Sequence, residues 1–188
     1  MLVTRNTPIG IDKTIQSVQE QMYSTLVAQW GIDEDQWNCY GRCYRNKKAS
    51  GYIAELYEGN KEYKDVYWDD RLTAVSFFGL NNRPIDQKEL RADVHLVFFV
   101  NLDKLYEKLD FRADEEVRRD VYRSIGVSSY DMIYQSTELG IENVLREYPG
   151  SRRDELENKV TMHPVHAFRL NYSLIYSDSD CNNVKNFL

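Results

Sequence analysis

The chain has 188 residues, of which 42% are hydrophobic, enough for one domain with a sizeable core. Its formal net charge of -6 and pI near 5.2 argue against a general nucleic-acid binder, whose affinity would come from a basic face. No apolar run approaches the ~18 to 20 residues of a membrane span, the first ten residues resemble neither a signal peptide nor a transit peptide, and three cysteines do not make a disulfide framework. A cytoplasmically made, reduced, soluble protein with no membrane partner is expected.

In chain order, Ile11, Ile15, Val18, Met22 and Leu26 fall on one stripe and predict an amphipathic helix over 11–30, closed by Gly31. The period then shortens. Cys39 to Tyr44, Tyr52 to Glu58 and Thr73 to Leu80 alternate and are separated by polar stretches, which predicts antiparallel strands joined by hairpin-like loops. Asn81 to Ala92, with Asn-Asn-Arg-Pro and several charges, reads as a surface excursion. The near-continuous apolar run of Val94 to Asn101 predicts a strand buried on both faces.

From Leu102 to Val160 the pattern is helical in character, with both charge signs interspersed. Asp114 is placed to cap a helix carrying Val117, Val121 and Ile125, and a further helix is expected from Thr137 to Tyr148, closed by Pro149 and Gly150. Val165 to Tyr176 then alternates over its whole length, which predicts a strand with one buried face. The expected fold is a single α+β domain over 1–188: a mainly antiparallel sheet, an N-terminal amphipathic helix, and a helical insertion or arm at 102–160 before the last strand.

Four groups of residues could carry chemistry. Cys39 and Cys43 with His163 and His166 have the ligand types of a tetrahedral zinc site, but on strands the cysteines would share a face and the histidines would not. Buried thiols and ordinary histidines are the simpler reading, so no metal or other cofactor is expected. Asp65, Asp69, Asp70 and Asp93, with Glu55 and Glu58, could converge on Mg²⁺ as in a nuclease; Lys61 and Lys64 lack the spacing that would hold the attacking water, and Asp69 and Asp70 suit a turn. Arg42, Arg45, Lys47 and Lys48, interleaved with Tyr40 and Tyr44, could meet phosphates and bases, or form a solvated loop tip. A cysteine nucleophile at Cys39, Cys43 or Cys181 has no histidine selected for it by spacing.

Tyrosine outnumbers phenylalanine by 14 to 7, and three tryptophans add further rings with a polar tip. Such side chains suit protein interfaces, with Tyr40, Arg42, Tyr44, Trp68, Tyr172 and Tyr176 as candidate contacts.

The N-terminal helix, the strand-rich runs Trp37 to Tyr44 and Ala74 to Gly79, the buried strand Asp93 to Asn101 and the closing run His163 to Tyr172 together resemble a tailed-phage neck protein, more narrowly the ring or tail-terminator-like proteins of crAss-like phages. The resemblance implies a non-enzymatic virion subunit without catalytic residues or cofactor. It would form a homo-oligomeric ring that joins the portal to other neck or tail proteins, with DNA passing through the channel without specific binding. The stretch 102–160 is longer than a minimal terminator domain needs and is expected to be a docking arm. Two other readings compete: a metal-dependent nuclease, and a soluble adaptor that binds a peptide or host protein.

Overall fold

The apolar stripe of the first helix and the two-faced burial of the strand over 94–101 require a sheet covered on both sides, and the computed structural model has that arrangement. It describes residues 1–48, 51–81, 90–106, 111–126, 132–148 and 163–176. The order is β1 (Leu2–Val3), α1 (Ile11–Trp30), β2 (Trp37–Arg42), β3 (Tyr44–Lys48), β4 (Gly51–Gly59), β5 (Glu62–Lys64), β6 (Ala74–Leu80), β7 (Leu90–Asn101), α2 (Leu102–Leu105), α3 (Asp114–Gly126), β8 (Met132–Leu139), α4 (Ile141–Val144) and β9 (Val165–Tyr176). A six-stranded sheet runs β1-β2-β6-β7-β9-β8, and β3-β4-β5 form a second, antiparallel sheet. The protein is α+β with a mainly antiparallel main sheet.

α1 buries Ile11, Ile15, Val18, Met22 and Leu26 at 2% exposure or less, on the predicted stripe. Gly31 ends it at φ 64°, a left-handed conformation that an L side chain resists, and donates its N–H to the Val27 carbonyl. α1 and α3 cover one face of the sheet, where Trp37, Phe98, Phe168, Leu170 and Leu174 pack with them. The opposite face meets the small sheet and the α4 segment through Tyr40, Leu56, Trp68, Phe77, Val97, Phe99 and Tyr148. In β7, even-numbered residues from Ala92 to Val100 join the helical side and Val97 and Phe99 join the other, so the strand is buried on both faces as its sequence predicts.

Four expectations are corrected. β2 and β6 lie next to each other in parallel, not antiparallel, because β3, β4 and β5 pair among themselves and carry the chain back to the start of β6. The expected strand Cys39 to Tyr44 is divided: a register irregularity between Cys39 and Arg42 ends β2, and the Cys43 N–H donates to the Phe78 carbonyl at 2.7 Å. The helix expected over 137–148 is a strand as far as Leu139 and a short helix only from Ile141 to Val144, with Gly140 at φ 82° between them. The chain favours the strand there because β9 offers it an edge, and the β8–β9 ladder runs from Met132 opposite Leu174 to Leu139 opposite Phe168. Finally, β9 is not one-faced: Val165, Ala167 and Arg169 on its second side are also buried.

Asp114 is the first residue of α3, and Val117, Val121 and Ile125 are buried as expected. Of the predicted excursion 81–92, residues 82–89 lie outside the described residues, and Leu90 to Ala92 already belong to β7. Of the expected arm 102–160, residues 107–110, 127–131 and 149–160 lie outside them. No described helix is long and apolar enough to cross a membrane.

Candidate functional site

The strand β2 and the hairpin that follows it bring Arg42 and Tyr44 against the first turn of α1. Arg42 pairs with Asp12 through Nε to Oδ1 at 2.8 Å and Nη2 to Oδ2 at 2.9 Å, and the Tyr44 hydroxyl donates to Asp12 Oδ2 at 2.7 Å. The Tyr44 phenol is raised from its ordinary range, first by burial and then by the Asp12 hydrogen bond. A residue that sequence reading missed completes the group. The Arg5 guanidinium lies 5.0, 4.6 and 5.7 Å from the ring centres of Tyr44, Tyr57 and Tyr63, and Arg42 lies 4.4 Å from that of Tyr44. Arg5 is held by Gln16, whose amide bonds both its backbone N–H and its carbonyl. Nothing near Arg5 in the sequence marks it, because its partners come from β3, β4, β5 and α1.

Behind this cluster is a cavity of about 20 Å³ bordered by Asp12, Gln19, Gly41 and Arg42, space for one water. Gln19 is fully buried, its amide donates to the carbonyls of Val3 and Cys39, and its Oε1 has no protein partner. The side chain thereby ties α1 to β1 and β2 at once.

The other candidate contacts are divided by burial. Tyr40, Trp68 and Tyr172 are 1%, 4% and 2% exposed and pack inside this chain, with the Trp68 indole N–H donating to Asp70 Oδ1 at 2.8 Å. Arg42, Tyr44 and Tyr176 keep part of their surface in solvent. Arg45 donates to the Leu80 carbonyl and lies 3.6 Å from Glu147; the side chains of Lys47 and Lys48 lie outside the described residues. The basic cluster is therefore not one surface, since Arg42 and Arg45 face different partners.

The zinc-type set does not converge. Cys39 packs on the helical side of the sheet and Cys43 on the other, because the irregularity in β2 turns the chain between them and cancels the shared face that a regular strand would give. His163 lies 3.3 Å from Asp103 and His166 3.7 Å from Asp114. Among the described residues, no three His, Cys, Asp or Glu side chains are grouped to hold a metal ion. Burial pushes the Cys39 thiol up to about 12 and the Cys43 thiol higher still, opposite to what a nucleophile needs. Cys181 lies outside the described residues.

The carboxylates are scattered too. Asp65 accepts from the Val66 N–H, and Asp69 accepts from the backbone and guanidinium of Arg71, the turn role read from the sequence. Glu58 pairs with Lys64 and Glu55 with Asn46. Asp93 lies apart from them, at an open groove of about 420 Å³ with Asn81, Arg91, Gln135, Asn171 and Ser173.

Beside that groove is a second group that sequence reading missed. Arg169, fully buried on β9, donates to Asn171 Oδ1 at 2.8 Å, Asn81 Oδ1 at 3.0 Å and Glu147 Oε1 at 2.9 Å. Next to it the Tyr148 hydroxyl and His95 Nε2 lie 2.5 Å apart. Burial keeps the imidazole neutral, its pKa well below the ordinary value, and keeps the phenol protonated, so the hydrogen bond joins two uncharged groups. Gly79 makes room for the pair, since a Cβ there would collide with both the hydroxyl and the imidazole. This network pins the 141–148 segment to the sheet. The one signal for it in the sequence is an arginine in the middle of an alternating strand.

The remaining feature is the outer strand. β8 pairs only with β9 among the described residues, and most of its residues are exposed. Ile133, Tyr134 and Leu139 on β8 are 48%, 40% and 44% exposed, and Tyr122 of α3, 47% exposed, packs edge-on against Tyr134. Away from β8, Met1 before β1, Ile9 before α1 and Tyr63 of the small sheet, which bonds Arg5, are exposed at 48%, 74% and 46%. Only Phe111 is an exposed large apolar residue elsewhere among the described residues. No protein-family model, no curated protein and no solved structure matches the chain.

Proposed function

We propose that this protein is a non-enzymatic structural subunit of a homo-oligomeric ring in the neck or tail of a tailed phage, joining the portal to the tail proteins around the DNA channel. The observation that carries the reading is that exposed apolar side chains fall in two separate regions, Tyr122, Ile133, Tyr134 and Leu139 around β8, and Met1 and Tyr63 around the N-terminal segment and the small sheet. A ring subunit has two neighbours and needs two such surfaces, since exposed apolar area of this kind is normally covered by a partner. The resemblance of the strand runs to phage neck proteins agrees with it. Among the described residues the scattered carboxylates give the nuclease reading no constellation to act through.

Native mass spectrometry across a concentration series, with negative-stain imaging of the same samples, tests the proposal. Metal-free closed oligomers with a central opening are expected. A species that stays a 22.2 kDa monomer at high concentration would overturn the ring and favour the adaptor.

A further inference from the structure

The direction of each strand in the main sheet specifies how two copies can meet. β1 and β2 are parallel, as are β2 and β6; β7 is antiparallel to β6, β9 to β7, and β8 to β9. Following these relations across the sheet, β8 runs opposite to β1. Two copies placed side by side in the same orientation therefore bring the outer edge of β8 in one against the β1 edge of the next with antiparallel polarity, the pairing that continues the sheet.

From this we infer that the subunits join head to tail through their sheet edges, β8 of one copy adding to the β1 edge of its neighbour. The inference rests on the ring reading and names its joint. A second copy is the occupant because the chain itself supplies both halves of the contact. Among the described residues the outer edge of β8 pairs with no strand; an irregularity at Gln135 interrupts it, and the strand carries exposed Ile133, Tyr134 and Leu139. The β1 end has a two-residue strand paired only with β2 among the described residues, preceded by exposed Met1 and followed by exposed Thr4. A two-fold contact of β8 with β8 would also be antiparallel, but it would close a dimer and leave the β1 edge unpaired. The head-to-tail joint covers both ends and repeats around a ring. An uncovered edge of this length would otherwise be a liability for uncontrolled strand addition.

Cysteine cross-linking in the full chain distinguishes these arrangements. In a Cys181→Ser background, Cys39 and Cys43 stay buried, and Thr4→Cys is combined in turn with Gln135→Cys, Ser136→Cys and Thr137→Cys. Mild oxidation followed by non-reducing electrophoresis is expected to give a ladder of covalent multimers in at least one double variant and none in Thr4→Cys or Thr137→Cys alone. A covalent dimer from Thr137→Cys alone would overturn the head-to-tail joint in favour of a two-fold one. Rings by native mass spectrometry without any cross-link would place the joint elsewhere and leave the ring reading standing. Absence of oligomers in the unsubstituted protein would remove the ring reading itself. Ile133→Lys with Leu139→Lys adds a check independent of cross-linking: oligomers are expected to fall at least tenfold in abundance, with the melting temperature of the monomer unchanged.

Discussion

The two faces of the main sheet solve the same packing problem with different chemistry. On the helical face, Trp37, Phe98 and Phe168 meet Ile15, Met22 and Leu26, and Phe98 stacks on Phe168 with centroids 5.4 Å apart and planes within 5°. On the other face, next to Phe77 and Phe99, the chain buries His95, Tyr148 and Arg169, with the tyrosine bonded to the histidine and the arginine to Glu147, Asn81 and Asn171. The apolar face tolerates sliding and repacking, because dispersion and hydrophobic burial are not directional. The polar face does not, because a buried guanidinium is stable only where its acceptors are placed. The apolar packing under α1 and α3 is therefore expected to carry the larger share of the stability, while the arginine network specifies where the 141–148 segment sits.

That division is broken first by truncating the apolar face. Phe98→Ala is expected to cost about 3–5 kcal/mol in urea unfolding, through lost burial and the cavity left between α1 and the sheet. If the cost is under about 1 kcal/mol, the helical face is not the main source of stability.

The next effect comes from the polar face. Arg169→Met removes one partner of a buried pair and is expected to cost about 3 kcal/mol, the low end for such changes, because Glu147 keeps Arg45 and Arg146 within 3.6 and 3.8 Å. Adding Glu147→Gln to Arg169→Met is expected to cost less than the sum of the single changes, by about 0.5–3 kcal/mol. Strict additivity in that double-mutant cycle would mean that the pair is not coupled.

Acidification sharpens the comparison further, since the buried histidines lie on opposite faces of β7 and β9. Burial lowers His95 well below its ordinary value, and burial, opposed in part by Asp114, lowers His166 to about 4. Below about pH 6.5 the unfolded chain therefore binds protons that the folded chain does not, so stability present at pH 7 is lost as pH falls. For His166 the loss extends from about pH 6.5 down to about 4, and His95 adds to it below about pH 6.5. The limiting slope is about 1.4 kcal/mol per pH unit for each histidine. Denaturant midpoints at pH 7, 6 and 5 should fall, and His95→Gln should flatten the curve; a midpoint independent of pH would contradict the neutral buried imidazole.

The smallest effect is expected away from both faces. Arg5→Ala loses contacts with three partly solvated tyrosine rings and should cost about 0.5–1 kcal/mol in thermal or urea unfolding. A loss above about 2 kcal/mol would make the tyrosine cage a structural anchor of the N-terminal segment on a par with the arginine network.

Local periodicity made some of this architecture legible. The stripe of α1, the left-handed Gly31 after it and the doubly buried β7 each follow from residue spacing, because those elements are decided by which side chains must leave water. β8 was illegible for the opposite reason. Its residues are mostly exposed, so no apolar alternation marks it, and its strand conformation comes from the edge of β9. The candidate contacts divide in the same way: Tyr40, Trp68 and Tyr172 have the composition of interface residues, but packing within the chain uses them. Arg5, a single residue near one end, acquires its three tyrosines only from strands 39 to 58 positions away.

The sequence by itself determined the α+β class, the N-terminal helix, the central strands and the acidic balance of the chain, since these depend on composition and on periods of 3.6 and 2. Only the tertiary structure decided that β2 and β6 run parallel, that Cys39 and Cys43 face opposite sides, that Arg169 is buried, and that the sheet ends in edges of opposite polarity. Strand order, and the long-range hydrogen bonds that satisfy a buried charge, join residues far apart in the chain, and no local pattern encodes which distant partner a strand or a guanidinium will find.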